Sequence, residues 1–321
     1  MHKKRVLIIS HLWPNNPQSK NPMSGIYVFD QVAEISKLTD MQVVVPLSIL
    51  PRVREMKKFK GSLFETVRKR LAYTPERAES LRYISILGKH LDSIFIAVLL
   101  MFKRESDYDV IHCHTMFPDG LAGMLLSFFK NKPFIVTIHG SEMMFIESHH
   151  LDRFLAVKIL KKAKSVISVS DLMKEKILKV TNKEANVKVI RNGITELFPM
   201  SEKKRIIFFA GKLTDVKDPL MLIDSFEIFS KKYGDFKLVL AGDGELREAV
   251  ENKIKEKNMS ERVSLLGYVN RERMKSLFSE SSILAITSKS EGFPTVIYES
   301  FSSGTPIVSF DVGGVGEAVK D

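Results

Sequence analysis

Short runs of consecutive apolar residues recur along the chain, separated by stretches whose apolar positions repeat at helical spacing. The first run, 5–10, contains Val6, Leu7, Ile8 and Ile9 and predicts a buried strand. After a loop rich in Pro, Asn, Ser and Gly at 11–25, Ile26, Phe29, Val32, Ala33 and Leu38 mark a helix over 26–38. Further strands are predicted at 41–46, 109–114, 132–139 and 165–169, and Ser170 or Asp171 is placed to cap a helix at 172–179. The same alternation resumes with strands at 205–211, 236–241 and 263–269. It ends with a helix from Val296 to Ser303, a stop at Gly304 and a strand at 305–310. Strand and helix in turn argue for α/β architecture, with parallel sheets covered by helices.

The residues just past the predicted strands carry the candidate chemistry. Period-2 geometry puts His112 and His114 on one face of their strand with Cys113 opposite. Two such histidines could begin a metal site, but no third ligand at a sensible spacing follows. Gly242-Asp243-Gly244 is a glycine turn without dinucleotide-binding spacing, since position 247 is Arg, so no nicotinamide site is expected. Ser290-Glu291-Gly292-Phe293-Pro294-Thr295 leads into the last long helix, whose Glu299 lies eight positions after Glu291. Pro294 suits a first helical turn because it presets φ and has no N–H to lose. The N–H groups of Phe293, Thr295 and Val296 would then face an anion. One carboxylate before the helix and one more than a turn along it suit a ligand with hydroxyls at both ends and negative charge between them. A nucleotide-sugar has that form.

At 321 residues the chain has room for two domains and ample core. The lone Cys113 excludes an intramolecular disulfide and a cysteine-built zinc site, and fits a reducing, cytoplasmic compartment. The N-terminal apolar run is too short for a signal peptide, and Trp13 and Pro14 follow where small residues would be needed. The net charge is +11, and residues 51–104 hold 13 Lys and Arg against 5 Asp and Glu. In that segment basic and apolar residues interleave, which fits either an anionic membrane surface or a solvated basic face followed by a buried helix. The apolar run 94–102 is far below the ~20 residues that span a bilayer. No recognition motif accompanies the charge, so no nucleic-acid partner is expected.

The Glu291-Gly292-Phe293-Pro294 core, with Gly304-Thr305-Pro306-Ile307-Val308 and Gly313-Gly314-Val315-Gly316-Glu317 after it, resembles the family 4 retaining glycosyltransferases. Thr137-Ile138-His139-Gly140-Ser141-Glu142 is similar to the family's Thr-x-His-Gly-Ser-Asp, with Glu142 for the Asp. Gly211-Lys212-Leu213 with Lys217 is similar to its Gly-Arg-Leu and Lys clamp, with Lys212 for the Arg. The resemblance implies the GT-B arrangement of two Rossmann-like, doubly wound domains facing a cleft. It implies an acceptor domain over 1–195, a linker at 196–204 and a nucleotide-sugar domain over 205–321. Family members continue past the last motif, so the second domain is expected to be incomplete.

By the same resemblance the donor, a UDP- or GDP-sugar, would meet Gly25, Lys212, Lys217, Gly292, Phe293, Pro294, Thr295 and Glu299. Glu299 would hold the ribose. Glu291 and His139 would be catalytic, with His114 and Glu142 on the acceptor side and His112 a packed structural histidine. No metal or other cofactor is implied, since cationic side chains and N–H groups can take the charge of the departing diphosphate. Expected partners are the donor, a glycan or lipid-linked acceptor and, through 51–104, the cytoplasmic membrane face, in cell-surface polysaccharide synthesis. Two rivals remain: a nucleotide-sugar epimerase of the same architecture, and a truncated homologue that only binds nucleotide-sugar or membrane.

Overall fold

The structure, a computed structural model, describes residues 3–14, 25–49, 69, 72, 74–83, 89–102, 108–146 and 150–319. These fall into two compact units, Met1–Arg191 and Asn192–Asp321.

In the first unit the described strands are β1 (Arg5–Ile9), β2 (Asp40–Ser48), β3 (Glu79–Tyr83), β4 (Val110–His114), β5 (Phe134–Ile138), β6 (Ser165–Ser168) and β7 (Val187–Val189). All pair in parallel, in the order β3-β2-β1-β4-β5-β6-β7. The chain builds outward from β1 to β3, returns to lay β4 on the other side of β1, and builds outward again. This doubly wound course leaves a switch point between β1 and β4, where open α/β sheets bind ligands at the carboxyl ends of their strands. Successive residues of β1 serve opposite faces: Leu7 and Ile9 join one buried cluster, Val6 and Ile8 another.

Between the strands run α1 (Ile26–Ile35), α2 (Lys89–Phe102), α3 (Leu121–Lys130), α4 (Ser141–Ile146), α5 (His150–Lys162) and α6 (Asp171–Val180). Ser170 caps α6 through its hydroxyl, which accepts from the Met173 N–H at 3.2 Å. Helix α1 ends three residues earlier than its apolar spacing predicts, because Leu38 is 74 % exposed and takes no part in the buried stripe.

Two features of the first unit depart from the expected pattern. Strand β3 has no alternation of its own, since Glu79 and Arg82 interrupt it, and it owes its place to parallel pairing with β2 from Val44↔Glu79 to Ser48↔Tyr83. Helix α2 was expected to be either buried or membrane-facing. It buries Ser93, Ile96, Ala97 and Leu100 on one side, and leaves Ile94, Phe95, Val98, Leu99 and Phe102 exposed on the other. Of the basic segment 51–104, residues 51–68, 70, 71, 73, 84–88, 103 and 104 lie outside the described residues.

The second unit repeats the plan with β8 (Lys204–Ala210), β9 (Lys237–Ala241), β10 (Val263–Gly267), β11 (Ser281–Ile286) and β12 (Ile307–Ser309). They too are parallel, in the order β10-β9-β8-β11-β12, with the switch point between β8 and β11. Its helices are α7 (Pro219–Lys232), α8 (Arg247–Glu256), α9 (Arg271–Glu280), α10 (Val296–Ser302) and the short α11 (Val315–Ala318). Ile207 and Phe209 pack on one face of the sheet and Phe208 on the other, where the Phe278 ring meets it edge-on at 5.1 Å. Helix α10 begins at Val296, so Glu299 stands within its first turn and not beyond it.

Residues 196–204, expected as a linker, pack on the second unit. Phe198 is buried against Phe278, with ring centroids 5.5 Å apart, and its N–H donates to Ser302 Oγ at 3.1 Å. Lys203 Nζ donates to Ser279 O, Ser303 O and Thr305 Oγ1 at 2.8, 2.9 and 2.6 Å, joining the ends of α9 and α10. Lys203→Met keeps the stem and strands those three acceptors. It should cost about 1–3 kcal/mol in urea denaturation of the whole chain, and an unchanged midpoint would show that the ammonium contributes nothing.

Candidate functional site

Each unit carries one polar cluster at the carboxyl ends of its strands. In the second unit, the loop after β8 runs through Gly211, Lys212, Leu213, Thr214 and Lys217, and the loop after β11 through Thr287, Ser288 and Glu291. The two loops are tied together directly. Thr287 Oγ1 donates to the carbonyls of Lys217 and Asp218 at 2.9 and 3.1 Å, and the Lys289 N–H donates to Val216 O at 2.8 Å. Their side chains also meet, since Lys217 Nζ pairs with Glu291 Oε1 and Ser288 Oγ donates to the same oxygen at 2.5 Å. The Glu291 side chain is only 9 % exposed, so its carboxylate is shielded from bulk water, while Lys217 is 28 % exposed.

Two more loops press on this one, and both need glycine. A Cβ on Gly313, where φ is +59°, would lie 1.8 Å from the Glu291 carbonyl oxygen, and the Gly314 N–H donates to Gly292 O at 3.1 Å. A Cβ on Gly242, at φ +144°, would lie 1.8 Å from Gly211 O. The turn holding Gly242 is bonded to the first loop from Leu213 N–H to Asp243 O at 3.0 Å. The motif Gly292-Phe293-Pro294-Thr295 thus enters α10 from a fixed backbone, with Phe293 buried and its ring 5.5 Å from that of Tyr298. The first bonds of the turn run from Ile297 N–H to Pro294 O and from Tyr298 N–H to Thr295 O. Lys212 is exposed and forms no ion pair among the described residues, so the two lysines of the expected clamp differ: one is paired and the other is open to an anion.

In the first unit the ends of β1, β4 and β5 bring together His11, His114 and His139. His114 Nδ1 and His139 Nε2 are 3.2 Å apart, and His112 Nε2 lies 2.8 Å from Thr137 Oγ1. The Tyr27 ring of α1 lies against His139 at 4.6 Å. Burial pulls the imidazole of His112 down to about 4 and that of His139 to about 3, and holds His114 well below the usual range, helped by its histidine neighbours. All three are neutral at pH 7. Gly25, the N-cap of α1 at φ +82°, lies where a Cβ would be 2.3 Å from the Leu12 carbonyl carbon. Glu142, in the first turn of α4, accepts from the His139 and Gly140 N–H groups at 3.2 and 3.0 Å. Its carboxylate is therefore engaged with backbone at the base of the His139 loop, and burial raises its pKa.

One pair was not foreseen. Asp119, in a π-helical turn over Met116–Gly120, is fully buried and accepts from the His11 N–H through both oxygens at 3.2 Å. His11 Nδ1 lies 2.8 Å from Asp119 Oδ2, and the Thr115 hydroxyl donates to the same oxygen at 3.3 Å. Burial raises the Asp119 carboxyl, and the His11 contacts oppose that rise. Among the described residues no group of three or more His, Cys, Asp or Glu side chains could hold a metal ion.

Comparison with known proteins bears on the family and the fold. The profile of glycosyl transferases group 1 matches residues 195–321, and that of Glycosyltransferase Family 4 matches residues 60–196, so the two run end to end. The chain belongs to the family 4, group 1 glycosyltransferases. An uncharacterized glycosyltransferase of Methanocaldococcus jannaschii is 31 % identical over 217 residues, covering 66 % of this chain and 59 % of the relative. The putative teichuronic acid biosynthesis glycosyltransferase TuaC of Bacillus subtilis is 24 % identical over 97 % of this chain and 82 % of its own length. The crystal structure of Anabaena HepE in complex with UDP and glucose superposes with a TM-score of 0.72 at 18 % identity, over 100 % of this chain and 84 % of that one. That likeness shows the GT-B fold. The chain spans about 60 % of the length of the first curated relatives it matches.

Against the family's motifs, the structure gathers Lys217, Glu291 and Gly292–Thr295 in one cluster, and Gly25, His114, His139 and Glu142 in the other. Glu299 lies within the first turn of α10 and interacts with another group of the chain. The buried histidines predict a pH dependence. They are neutral when folded and have ordinary pKa values near 6.5 when unfolded, so the unfolded chain binds more protons below that point. Their stabilising share is complete above pH 6.5 and is lost as pH falls toward about 4, the value for His112. His112 alone should account for about 2 kcal/mol between pH 7 and pH 5. Denaturation midpoints of His112→Phe should fall less steeply over that range than those of the parent. Parallel slopes would contradict a neutral, buried His112.

Proposed function

We propose that the chain binds a UDP- or GDP-sugar and transfers the sugar, with retention and without a metal, to a hydroxyl of a glycan or lipid-linked acceptor. The observation that carries the reading is the Lys217–Glu291–Ser288 arrangement, which puts an ammonium and a shielded carboxylate side by side at the switch point of the second sheet. The UDP and glucose bound by HepE and the teichuronic acid pathway of TuaC lend support to a nucleotide-sugar donor and a cell-envelope product.

In this reading the bond from the sugar C1 to the diphosphate oxygen breaks, and its electron pair leaves with the diphosphate. Lys217 and Lys212 take up that charge. The acceptor oxygen bonds to C1, and its proton passes to the departing diphosphate. Glu291, held by Ser288, stabilises the cationic sugar, either as a transient nucleophile or while the acceptor attacks from the face the diphosphate leaves. Glu299 holds the ribose hydroxyls, and the backbone of Gly292–Thr295 lies along the donor. In the first unit His139 hydrogen-bonds sugar or phosphate, Gly25 lets the backbone approach the phosphate, and His114 and Glu142 belong to the acceptor side.

Glu299→Ala should raise the dissociation constant of the donor about tenfold, the worth of roughly 1.4 kcal/mol. Lys217→Ala should slow donor cleavage more than it weakens binding. Thermal shifts with a panel of UDP- and GDP-sugars identify the donor. Release of an epimerised sugar without acceptor would identify an epimerase instead, and binding without any turnover would identify a binding protein. Transfer at the parental rate by Glu291→Ala would remove that residue from the mechanism.

The proposal extends to the cytoplasmic face of a membrane. Ile94, Phe95, Val98, Leu99 and Phe102 form an exposed apolar side of α2, and Phe128, Phe129 and Lys130 stand exposed or half-exposed at the end of α3, which packs on α2. No helix of the described residues is long and apolar enough to cross a membrane, so the association would be peripheral. Phosphatidylglycerol vesicles should pellet the chain, and added salt or the pair Phe95→Ser with Phe102→Ser should reduce the pelleted fraction several-fold. Equal pelleting by parent and variant would rule this surface out.

A further inference from the structure

The contact between His114 and His139 has a geometry that fixes more than proximity. The ring planes differ by only 13°, and the centroids are 5.5 Å apart with the facing nitrogens 3.2 Å apart. The centroid separation exceeds the N···N distance by about two ring radii. The rings therefore meet edge to edge in nearly one plane, along the line of a hydrogen bond, and do not stack face to face. His112 covers a face of the His114 ring at 4.4 Å and is itself held by Thr137 Oγ1, so it opposes rotation of that ring. Tyr27 lies against His139 on its other flank.

A neutral imidazole carries one N–H and one lone pair. If His139 Nε2 donates to His114 Nδ1, the outer atoms are an accepting His139 Nδ1 and a donating His114 Nε2. If His114 donates, both outer roles reverse. Both outer atoms, His139 Nδ1 and His114 Nε2, are buried and have no hydrogen-bond partner among the described residues. Leaving such atoms unpaired is unfavourable unless something else completes them. The pair therefore keeps one ring nitrogen of His139 in internal use and reserves the other.

We propose that His114 is a positioning residue: the bond between its Nδ1 and His139 Nε2 fixes the ring orientation of His139 and ties its tautomer to that of His114, so that Nδ1 of His139 is the atom offered to a substrate hydroxyl. This rests on the reading that His139 meets the substrate. It moves His114 from direct contact with the acceptor to action through its neighbour. The arrangement parallels metal-bound histidines, whose second nitrogen is held by another group that sets ring orientation.

The test uses the side chains that mimic each imidazole nitrogen. An Asn amide stands where His Nδ1 stands, whereas a Gln amide reaches the place of Nε2. His114→Asn should keep the hydrogen bond at His139 Nε2, seen as a parent-like Nε2 signal in long-range 15N–1H spectra of the histidine-labelled full chain and assigned with His139→Gln. His114→Gln and His114→Phe should lose that bond and shift the signal. Turnover of the donor should fall about fivefold to tenfold in His114→Gln, as expected for loss of one hydrogen bond. Turnover should fall less in His114→Asn than in His114→Gln, with KM for the donor unchanged in both. An unaltered His139 Nε2 signal in both His114→Gln and His114→Phe would overturn the proposal, as would equal effects of Asn and Gln. The spectra need no active enzyme, so they decide the positioning role even where the transfer reading fails.

Discussion

Lys217 and Glu291 lie 74 positions apart in the chain, yet their side chains meet where the Glu291 carboxylate is shielded from bulk water. That contact depends on the doubly wound order of the second sheet, which places β8 and β11 side by side so that the loops after them leave the same edge. It depends equally on steric permission at two glycines. Gly313 lets its loop lie on the Glu291 carbonyl, and Gly242 lets the turn after β9 lie on Gly211. A methyl group at either position would force the loops apart and carry the ion pair with them. The Thr287 hydroxyl and the Lys289 N–H, bonded to the backbone of 216–218, give the pair a rigid mount.

The pair leaves the two lysines in unequal settings. A shielded carboxylate with an ammonium and a hydroxyl on one oxygen is well satisfied, whereas the exposed Lys212 nearby in sequence has no ionic partner among the described residues. An arriving diphosphate would meet one open cation and one that must be shared with Glu291. Sharing lowers the cost of bringing a second anion to Lys217 only if Glu291 faces positive charge in turn, as it would beside a cationic sugar. Binding and bond cleavage are then coupled through one lysine, which is the electrostatic core of the proposed chemistry. The first unit contributes differently, since its three buried histidines are neutral and offer hydrogen bonds instead of charge.

Much of this could be read from residue order, because it rests on local patterns. The apolar runs marked most strands of both sheets but not β3, β7 or β11, Gly304 marked the end of α10, and Ser170 or Asp171 the start of α6. The His112 and His114 alternation correctly put both rings on one side of β4. What escaped were contacts between distant residues and elements without a pattern of their own. Asp119 holds His11 from 108 positions away, and only the adjacency of β1 and β4 brings them together. Strand β3 is held by its neighbour β2 despite Glu79 and Arg82. The apolar positions of α2 left burial and a membrane surface both open; among the described residues one side of the helix is buried and the other exposed, and composition alone does not say which side is which.

The central claim is that Lys217 and Glu291 form a donor site whose ion pair opens when the diphosphate binds. A crystal structure of the full chain with the UDP- or GDP-sugar that most raises its thermal stability tests this most directly. The account predicts phosphate oxygens within hydrogen-bond distance of Lys217 Nζ and Lys212 Nζ, with Glu291 turned to the sugar and still held by Ser288. A donor bound elsewhere, with Lys217 still closed on Glu291, would contradict it.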